Sequence, residues 1–242
     1  MPGTDPENTS PEGIRLNKYI ASSGICSRRE ADRLIETGKV KINGVTADLG
    51  SRVKEGDTVE VDGKNVTPED QMIYIAFNKP LGITCTTDRR DPSNIIDYIN
   101  FGDRIFPVGR LDKNSSGLIL LTNNGDIVNR LLRSENGHEK EYLVTLDRPY
   151  DKAFVKSMAT GVPVLGRITL PAEVIPAGSK SFRIILRQGM NRQIRRMCDY
   201  LGYKVTKLKR IRFINVKLGD LETGKWRYLT SDEKKELLKD FS

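Results

Sequence analysis

The sequence predicts an α+β fold in two units, and three observations lead there. Two short amphipathic helices and a tight hairpin open the ordered part of the chain. After a polar break around Pro68, strand-like alternation dominates almost to the C-terminus. The helical segments between those strands are too few for a ladder of βαβ units, so the larger sheet is expected to be mixed and largely antiparallel. The expected boundaries are a disordered tail over 1–13, a small unit over 14–62, a linker over 63–71 and a large unit over 72–242.

Within the small unit, RLNKYIASSG places Leu16, Tyr19 and Ile20 at helical spacing, with Gly24 as a stop. SRREADRLIETG follows. Ser27 with Glu30 three residues on forms a capping box, Ala31, Leu34 and Ile35 share an apolar face, and Gly38 ends the helix. KVKINGVTA is a hairpin about Asn43-Gly44, and DTVEV is a further strand. Arg15, Lys18, Arg28, Arg29 and Arg33 lie on or beside the two helices and give them a basic face. DGKNVTPEDQ is polar, carries Pro68 and is expected to link the units.

MIYIAFNKP opens the large unit as a buried strand ending before Pro80, and GITCTT continues the strand pattern. DRRDPSN is a loop, IIDYI a short helix and RIFPVGRLD an extended segment. LILLTNNGD runs from a strand into a turn, with Asp126 as N-cap of the helix IVNRLLR. KEYLVTLD alternates as a strand, DKAFVKSMATG is a helix stopped by Gly161, and RITLPAEVIPAG and SFRIILRQG are strands. NRQIRRMCDYLGY is an amphipathic helix with Ile194, Met197, Cys198 and Leu201 on one face and Gly202 just past its end. KVTKLKRIRFINVKL is a strand, basic at alternate positions, and a polar helix, SDEKKELLKD, closes the chain.

Composition narrows the chemistry. No apolar run approaches the roughly 20 residues that span a bilayer, and the N-terminus lacks the basic start and apolar block of a signal peptide. Cys26, Cys85 and Cys198 lie far apart, an odd count without metal or redox spacing, which fits a reducing cytoplasm. A single histidine, His138, is read as a loop residue and makes a Ser-His-Asp relay or a histidine zinc site hard to assemble. The net charge of +8 is concentrated. Arg183 to Arg212 holds ten Lys or Arg against one acid, Asp199, which points to a polyanion such as nucleic acid rather than to a merely solvated face.

GDLETGK, from Gly219 to Lys225, matches the start of a phosphate-binding loop, but Trp226 stands where the Mg²⁺-binding hydroxyl belongs, so it is read as a hairpin turn. More informative is GRLDKNSSGLILLTNNGD, in which Asp112 sits between Arg110 and Lys113. As bare pattern Asp112 is a loop aspartate satisfied by Ser115 or by backbone N–H groups. Yet a carboxylate set among cations keeps its charge, and at the edge of a basic groove it can act as a nucleophile toward a sugar carbon or as a base. No second acid is spaced beside it, so paired-carboxylate hydrolysis is not suggested. Tyr142, at the start of a strand, is either cross-strand packing or a ring placed to stack on a base. Arg192, Arg195 and Arg196 are either helix surface charge or anion-binding groups, with Arg192 and Arg195 sharing a face. Lys79 is most simply a strand end, though a lysine there could reach RNA.

GRLDKNSSGLILLTNNGD, KPLGI, KEYLV and GMNRQIRRM, taken together, resemble the RsuA-type ribosomal RNA pseudouridine synthases. RLNKYIASSGICSRREADRLIETGKVKINGV resembles the small RNA-binding domain named after ribosomal small-subunit protein four. GICSRREAD, HEKEYLVT and QGMNRQIRRMC are most similar to the RluF branch, which acts on large-subunit rRNA. The resemblance implies Asp112 as the catalytic aspartate, Tyr142 as the ring stacked on the target uracil, Arg195 as the basic partner of the aspartate and Arg110 as the arginine holding the flipped nucleotide's place. RNA contacts are expected from Arg15, Lys18, Arg28, Arg29, Arg192 and Arg196. Uridine is isomerised with no atom gained or lost, so no cofactor or metal is expected. The expected partner is structured ribosomal RNA, with a tRNA as the alternative, the enzyme acting in the cytoplasm as a monomer away from membranes. The competing readings are a non-catalytic RNA-binding or ribosome-assembly factor, or the same reaction on small-subunit rRNA or a tRNA.

Overall fold

The computed structural model describes residues 13–69, 71–132 and 137–239, so the expected tail, apart from Gly13, lies outside the described residues. The small unit runs β1 (Ile14–Arg15), α1 (Leu16–Ser22), α2 (Arg28–Glu36), β2 (Val40–Ile42), β3 (Val45–Thr46), β4 (Arg52–Val53), β5 (Val59–Val61) and β6 (Lys64–Val66). Ser27 caps α2, accepting the Glu30 N–H at 3.2 Å, but the Glu30 carboxylate turns to Arg33 at 3.1 Å instead of closing the box. Asn43 and Gly44 hold φ of 51° and 78°, as a two-residue hairpin turn of the primed kind requires. Leu16 and Ile20 from α1, Ala31 and Ile35 from α2 and Val40, Val53 and Val59 from the strands make one small core. The stretch expected to be a linker begins as β6. The Asp62-Gly63 turn, with φ of 50° and 76°, folds Lys64–Val66 back onto β5 and puts Val66 into that core.

The large unit continues β7 (Tyr74–Lys79), α3 (Ile95–Ile99), β8 (Phe106–Val108), β9 (Ser116–Thr122), α4 (Gly125–Leu132), β10 (Lys140–Leu146), α5 (Lys152–Thr160), β11 (Pro163–Val164), β12 (Arg167–Ile168), β13 (Glu173–Pro176), β14 (Ser181–Leu186), α6 (Gln193–Tyr200), β15 (Val205–Phe213), β16 (Val216–Lys217), β17 (Trp226–Tyr228) and α7 (Ser231–Leu238). Its sheet has the spatial order β13-β14-β10-β15-β9-β7-β17, with β16 on β15 and β8 on β9. Among the described residues of this sheet only β15 against β9 is parallel; the other pairs are antiparallel, as expected. The lookalike phosphate loop is the turn region leading into β17.

Packing divides this sheet at the parallel seam. Phe154 and Met158 of α5, with Ile194, Met197 and Cys198 of α6, cover Val144, Phe182, Ile184 and Leu208. On the other half, Ile127 and Leu131 of α4 and Leu237 of α7 pack on Ala76, Leu118 and Leu120, while Ile95 of α3 packs with Ile75, Phe77, Ile119 and Leu121 on the opposite face. The strict alternation of β7 and β9 between two cores explains why their sequences read as unbroken apolar runs.

Asp126, expected as the N-cap of α4, lies in its first turn, where Asn124 Oδ1 accepts its N–H at 3.1 Å. Its carboxylate instead reaches the small unit, meeting Lys18 at 2.8 Å and Arg28 at 3.1 Å.

Candidate active site

A cleft of about 810 Å³ opens where the two halves of the large sheet meet. Its lining brings together the segment Gly109–Lys113, Lys140 and Tyr142 of β10, the loop from Gln188 to Arg192, and Leu208 and Arg210 of β15. Asp112 is the one acid among these lining residues, against Arg110, Lys113, Lys140, Arg192 and Arg210. Tyr142 is half-buried and packs against both the α6-side core and the α3-side core, so its ring bridges the halves at the cleft wall.

The loop carrying Asp112 is fixed from several sides. Leu111 is buried in the α3-side core and its N–H donates to Cys85 Sγ at 3.4 Å. The Ser115 N–H donates to the Asp112 carbonyl at 2.9 Å, the Gly82 N–H to the Lys113 carbonyl at 2.9 Å, and Lys113 Nζ to Ser93 Oγ at 3.0 Å. The Asp112 carboxylate itself makes no hydrogen bond or ion pair within 4.0 Å among the described residues, so the loop-satisfaction reading of this acid is not what the geometry gives. Its charge acts at longer range on two cations, the buried Lys79 and the half-buried Arg195.

Arg195 is not in direct contact with Asp112. Its fork donates to the Asn114 carbonyl at 2.6 Å, the Val205 carbonyl at 3.1 Å and, weakly, Ser115 Oγ at 3.5 Å. It therefore ties α6 and the start of β15 to the Asp112 loop through backbone acceptors. Burial, then the neighbouring Arg192, pull its guanidinium below the usual arginine range, and Asp112 offsets part of this. Arg192 does not share a helical face with Arg195. It is the N-cap residue of α6, held at φ of 51° in the left-handed region, and its side chain lines the cleft. Arg196 is exposed and turned to Asn191, its Nε donating to that carbonyl at 3.1 Å.

Arg110 is exposed at the cleft mouth. Arg15, Arg28 and Arg29 are exposed on the small unit, and Lys18 and Arg28 are already engaged with Asp126. Lys79 is fully buried, its ammonium donating to the carbonyls of Pro80 at 2.9 Å and Ile83 at 2.8 Å, so it does not reach RNA. Burial lowers the Lys79 ammonium below its ordinary range.

Strand alternation places Arg210 and Arg212 on one face, and the structure does not. Tyr142 lies opposite Arg210 while Glu141 lies opposite Arg212, so a bulge at Ile211 reverses the alternation. Arg210 consequently joins Tyr142 on the cleft side. Arg212 joins Glu141 and Glu139 on the other, with contacts of 3.0 Å to each. Glu141 also holds Arg183 at 3.0 Å and Glu139 holds Arg187 at 3.2 Å. The basic stripe is thus partly neutralised by acids from β10 and the residue before it, which a count along the segment does not include. Lys140 and Arg210 are the cleft residues that sequence reasoning missed. For Lys140 a signal existed, because it stands two residues before Tyr142 on a strand and must share its face.

The RNA pseudouridylate synthase family model matches residues 73–200, and an S4 domain model matches residues 14–59. The chain belongs to the RNA pseudouridylate synthase family. It is an RNA pseudouridine synthase carrying an S4 domain. It is 55% identical over 227 residues to a Salmonella typhi protein, the dual-specificity RNA pseudouridine synthase RluF, covering 93% of this chain and 78% of that one. The Escherichia coli (strain K12) protein of the same name is 53% identical over 228 residues, covering 93% and 79%. A Bacillus subtilis protein, ribosomal large subunit pseudouridine synthase B, is 36% identical, covering 92% and 95%. Among solved structures, a crystal structure of a pseudouridylate synthase superposes with a TM-score of 0.68 at 30% identity, covering 93% of this chain and all of that one. The synthase has no helix, among the described residues, long and apolar enough to cross a membrane.

Proposed function

We propose that the synthase isomerises uridine to pseudouridine in ribosomal RNA, with Asp112 meeting the ribose, Tyr142 stacking on the extruded uracil and Arg195 holding the Asp112 loop in register. The observation that carries this is the placement of one unpaired carboxylate and one aromatic ring in the same cation-lined cleft. Extruding the base costs a few kcal/mol, which phosphate contacts from Arg110 and Arg192 at the mouth and from the exposed Arg196 beyond it offset. The small domain, through Arg15, Lys18, Arg28 and Arg29, recognises the RNA by shape and backbone and so selects the uridine. Two routes start from the Asp112 carboxylate: addition to the anomeric carbon, or removal of the neighbouring sugar proton. Neither consumes a cofactor.

Large-subunit rRNA is the first substrate, on the strength of the Bacillus subtilis relative's name, and a tRNA is the second, since the RluF relatives are called dual-specificity enzymes. The test incubates wild type and Asp112→Asn with protein-free rRNA of both subunits and with bulk tRNA, then maps pseudouridine chemically. Wild type marks a large-subunit uridine and Asp112→Asn binds the same RNA but leaves it unmarked. A marked RNA from Asp112→Asn removes the catalytic assignment. An unmarked RNA from wild type favours a pure assembly factor.

A further inference from the structure

Two cations on the cleft face have no part in the scheme above. Lys140 and Arg210 are only 9% and 2% exposed. The Lys140 ammonium reaches one acceptor, the His138 carbonyl, at a long 3.4 Å. Arg210 Nε donates to the Leu118 carbonyl at 2.7 Å, but its Nη2 is sealed from solvent and has no hydrogen-bond partner among the described residues. Among the described residues no carboxylate lies within 4.0 Å of either cation, Glu139 and Glu141 being committed to Arg183, Arg187 and Arg212. The Phe213 ring carries both, 5.9 Å from Lys140 Nζ and 5.2 Å from Arg210 Cζ. They are close enough that Arg210, after burial, helps to lower the Lys140 ammonium below its ordinary range. Burying two like charges without counterions is costly. The bulge at Ile211 is what brings Arg210 to this side.

Such a floor has a use when an anion comes to lie over it. Backbone phosphates are met at the mouth by exposed Arg110, Lys113 and Arg192, whereas an extruded base is the part of a nucleotide that goes deepest. We propose that Lys140 and Arg210 stabilise the uracil anion formed when the glycosidic bond breaks. This rests on the synthase scheme above. The C1′–N1 bond breaks with its electron pair leaving on the base, which spreads the charge over N1, O2 and O4. The sugar is balanced through Asp112, either by a new C1′–O bond or by transfer of the C2′ proton to the carboxylate with a C1′=C2′ double bond. After the base turns, its C5 supplies the electron pair for the C1′–C5 bond. As that bond forms, Asp112 departs from C1′ or returns its proton to C2′; the C5 proton is then released and N1 is protonated. The anion exists only between cleavage and rejoining, so the floor accelerates cleavage without tightening substrate binding.

The test is single-turnover kinetics of Lys140→Met on two RNAs, one with uridine at the target and one with 5-fluorouridine, whose base is the better leaving anion. Loss of starting nucleoside after nuclease digestion reads cleavage in both, because the fluorinated base can rejoin through C5 without having a proton there to lose. On uridine the rate falls roughly 10- to 100-fold with unchanged RNA affinity. On 5-fluorouridine the loss shrinks to within about threefold, and Lys140→Arg keeps most of the activity on both. Equal losses on the two RNAs overturn the proposal. So does weaker binding with an unchanged rate, which would make the floor a phosphate site. If Lys140→Met fails to fold, Lys140→Gln and Arg210→Lys are compared on the same pair of RNAs, where a loss confined to uridine supports the proposal and equal losses overturn it. A failure of the synthase scheme itself looks different, since wild type then converts neither RNA.

Discussion

Gly117 and Arg210 face each other across the parallel β9–β15 seam, so closely that a Cβ on Gly117 would lie 2.2 Å from the Arg210 carbonyl oxygen and 2.7 Å from its nitrogen. Gly117 also holds φ of 100°, which side chains with a Cβ rarely adopt. The glycine of the Asp112 motif thus lets the two halves of the sheet close and seats Arg210 under the cleft. Gly117→Ala is expected to destabilise the fold by about 2–4 kcal/mol and to lower activity by more than the loss of folded protein explains. Urea denaturation alongside single-turnover assays checks both, and a wild-type melting curve would remove this account of the seam.

Arg195 acts on the Asp112 loop as a planar fork. A lysine keeps the charge near Asp112 but puts a single nitrogen in place of the two guanidinium nitrogens that reach the Asn114 and Val205 carbonyls. Arg195→Lys is therefore expected to fold, bind RNA and react roughly 10- to 100-fold more slowly, a misplacement cost rather than a binding cost. The kcat-to-KM split is the measurement. A slow variant whose defect lies wholly in KM points to an RNA contact instead.

The parts of this protein legible in the sequence are those decided locally. Ser27, the Asn43-Gly44 turn, and the periodicity of Ile194, Met197 and Cys198 each depend on near neighbours, and each is found where the pattern puts it. What was hidden depends on partners far along the chain. Lys64–Val66 is polar and short, and only its pairing with Val59–Val61 makes it a strand. Asp126 is drawn from a capping role toward Lys18 and Arg28, more than 90 residues away. The site divides the same way. Asp112 and Tyr142 announce themselves by motif and do line one cleft, whereas Arg210 is placed by a bulge that leaves no mark in the alternation.

Cys198 faces the core from α6, and burial pushes its thiol up to about 12. Burial raises Cys85 and Cys26 as well, Cys26 being the least enclosed of the three. Because the thiolate is the reactive form, alkylation at pH 8 should leave Cys198 unmodified in the folded synthase and label it fully only after denaturation. Mass spectrometry of timed iodoacetamide reactions reads this directly. Labelling of Cys198 at the rate of Cys26 would mean that α6 opens in solution.

Asp126 joins the two domains by holding Lys18 and Arg28, and all three side chains are partly exposed, so each ion pair adds at most about 1 kcal/mol. The same two cations belong to the basic face expected to meet RNA. Asparagine at 126 keeps the shape, removes the competing carboxylate and raises the positive potential of that face. Asp126→Asn should therefore bind an rRNA hairpin about two- to fivefold more tightly at low salt, with a steeper fall of log affinity against log salt. Its melting temperature should fall by no more than about 8 °C, since the two pairs together hold at most about 2 kcal/mol. Fluorescence anisotropy across a salt series measures the first two quantities. Unchanged affinity with an unchanged slope would place Lys18 and Arg28 outside the RNA footprint and leave their pairing with Asp126 as a purely structural clasp between the domains.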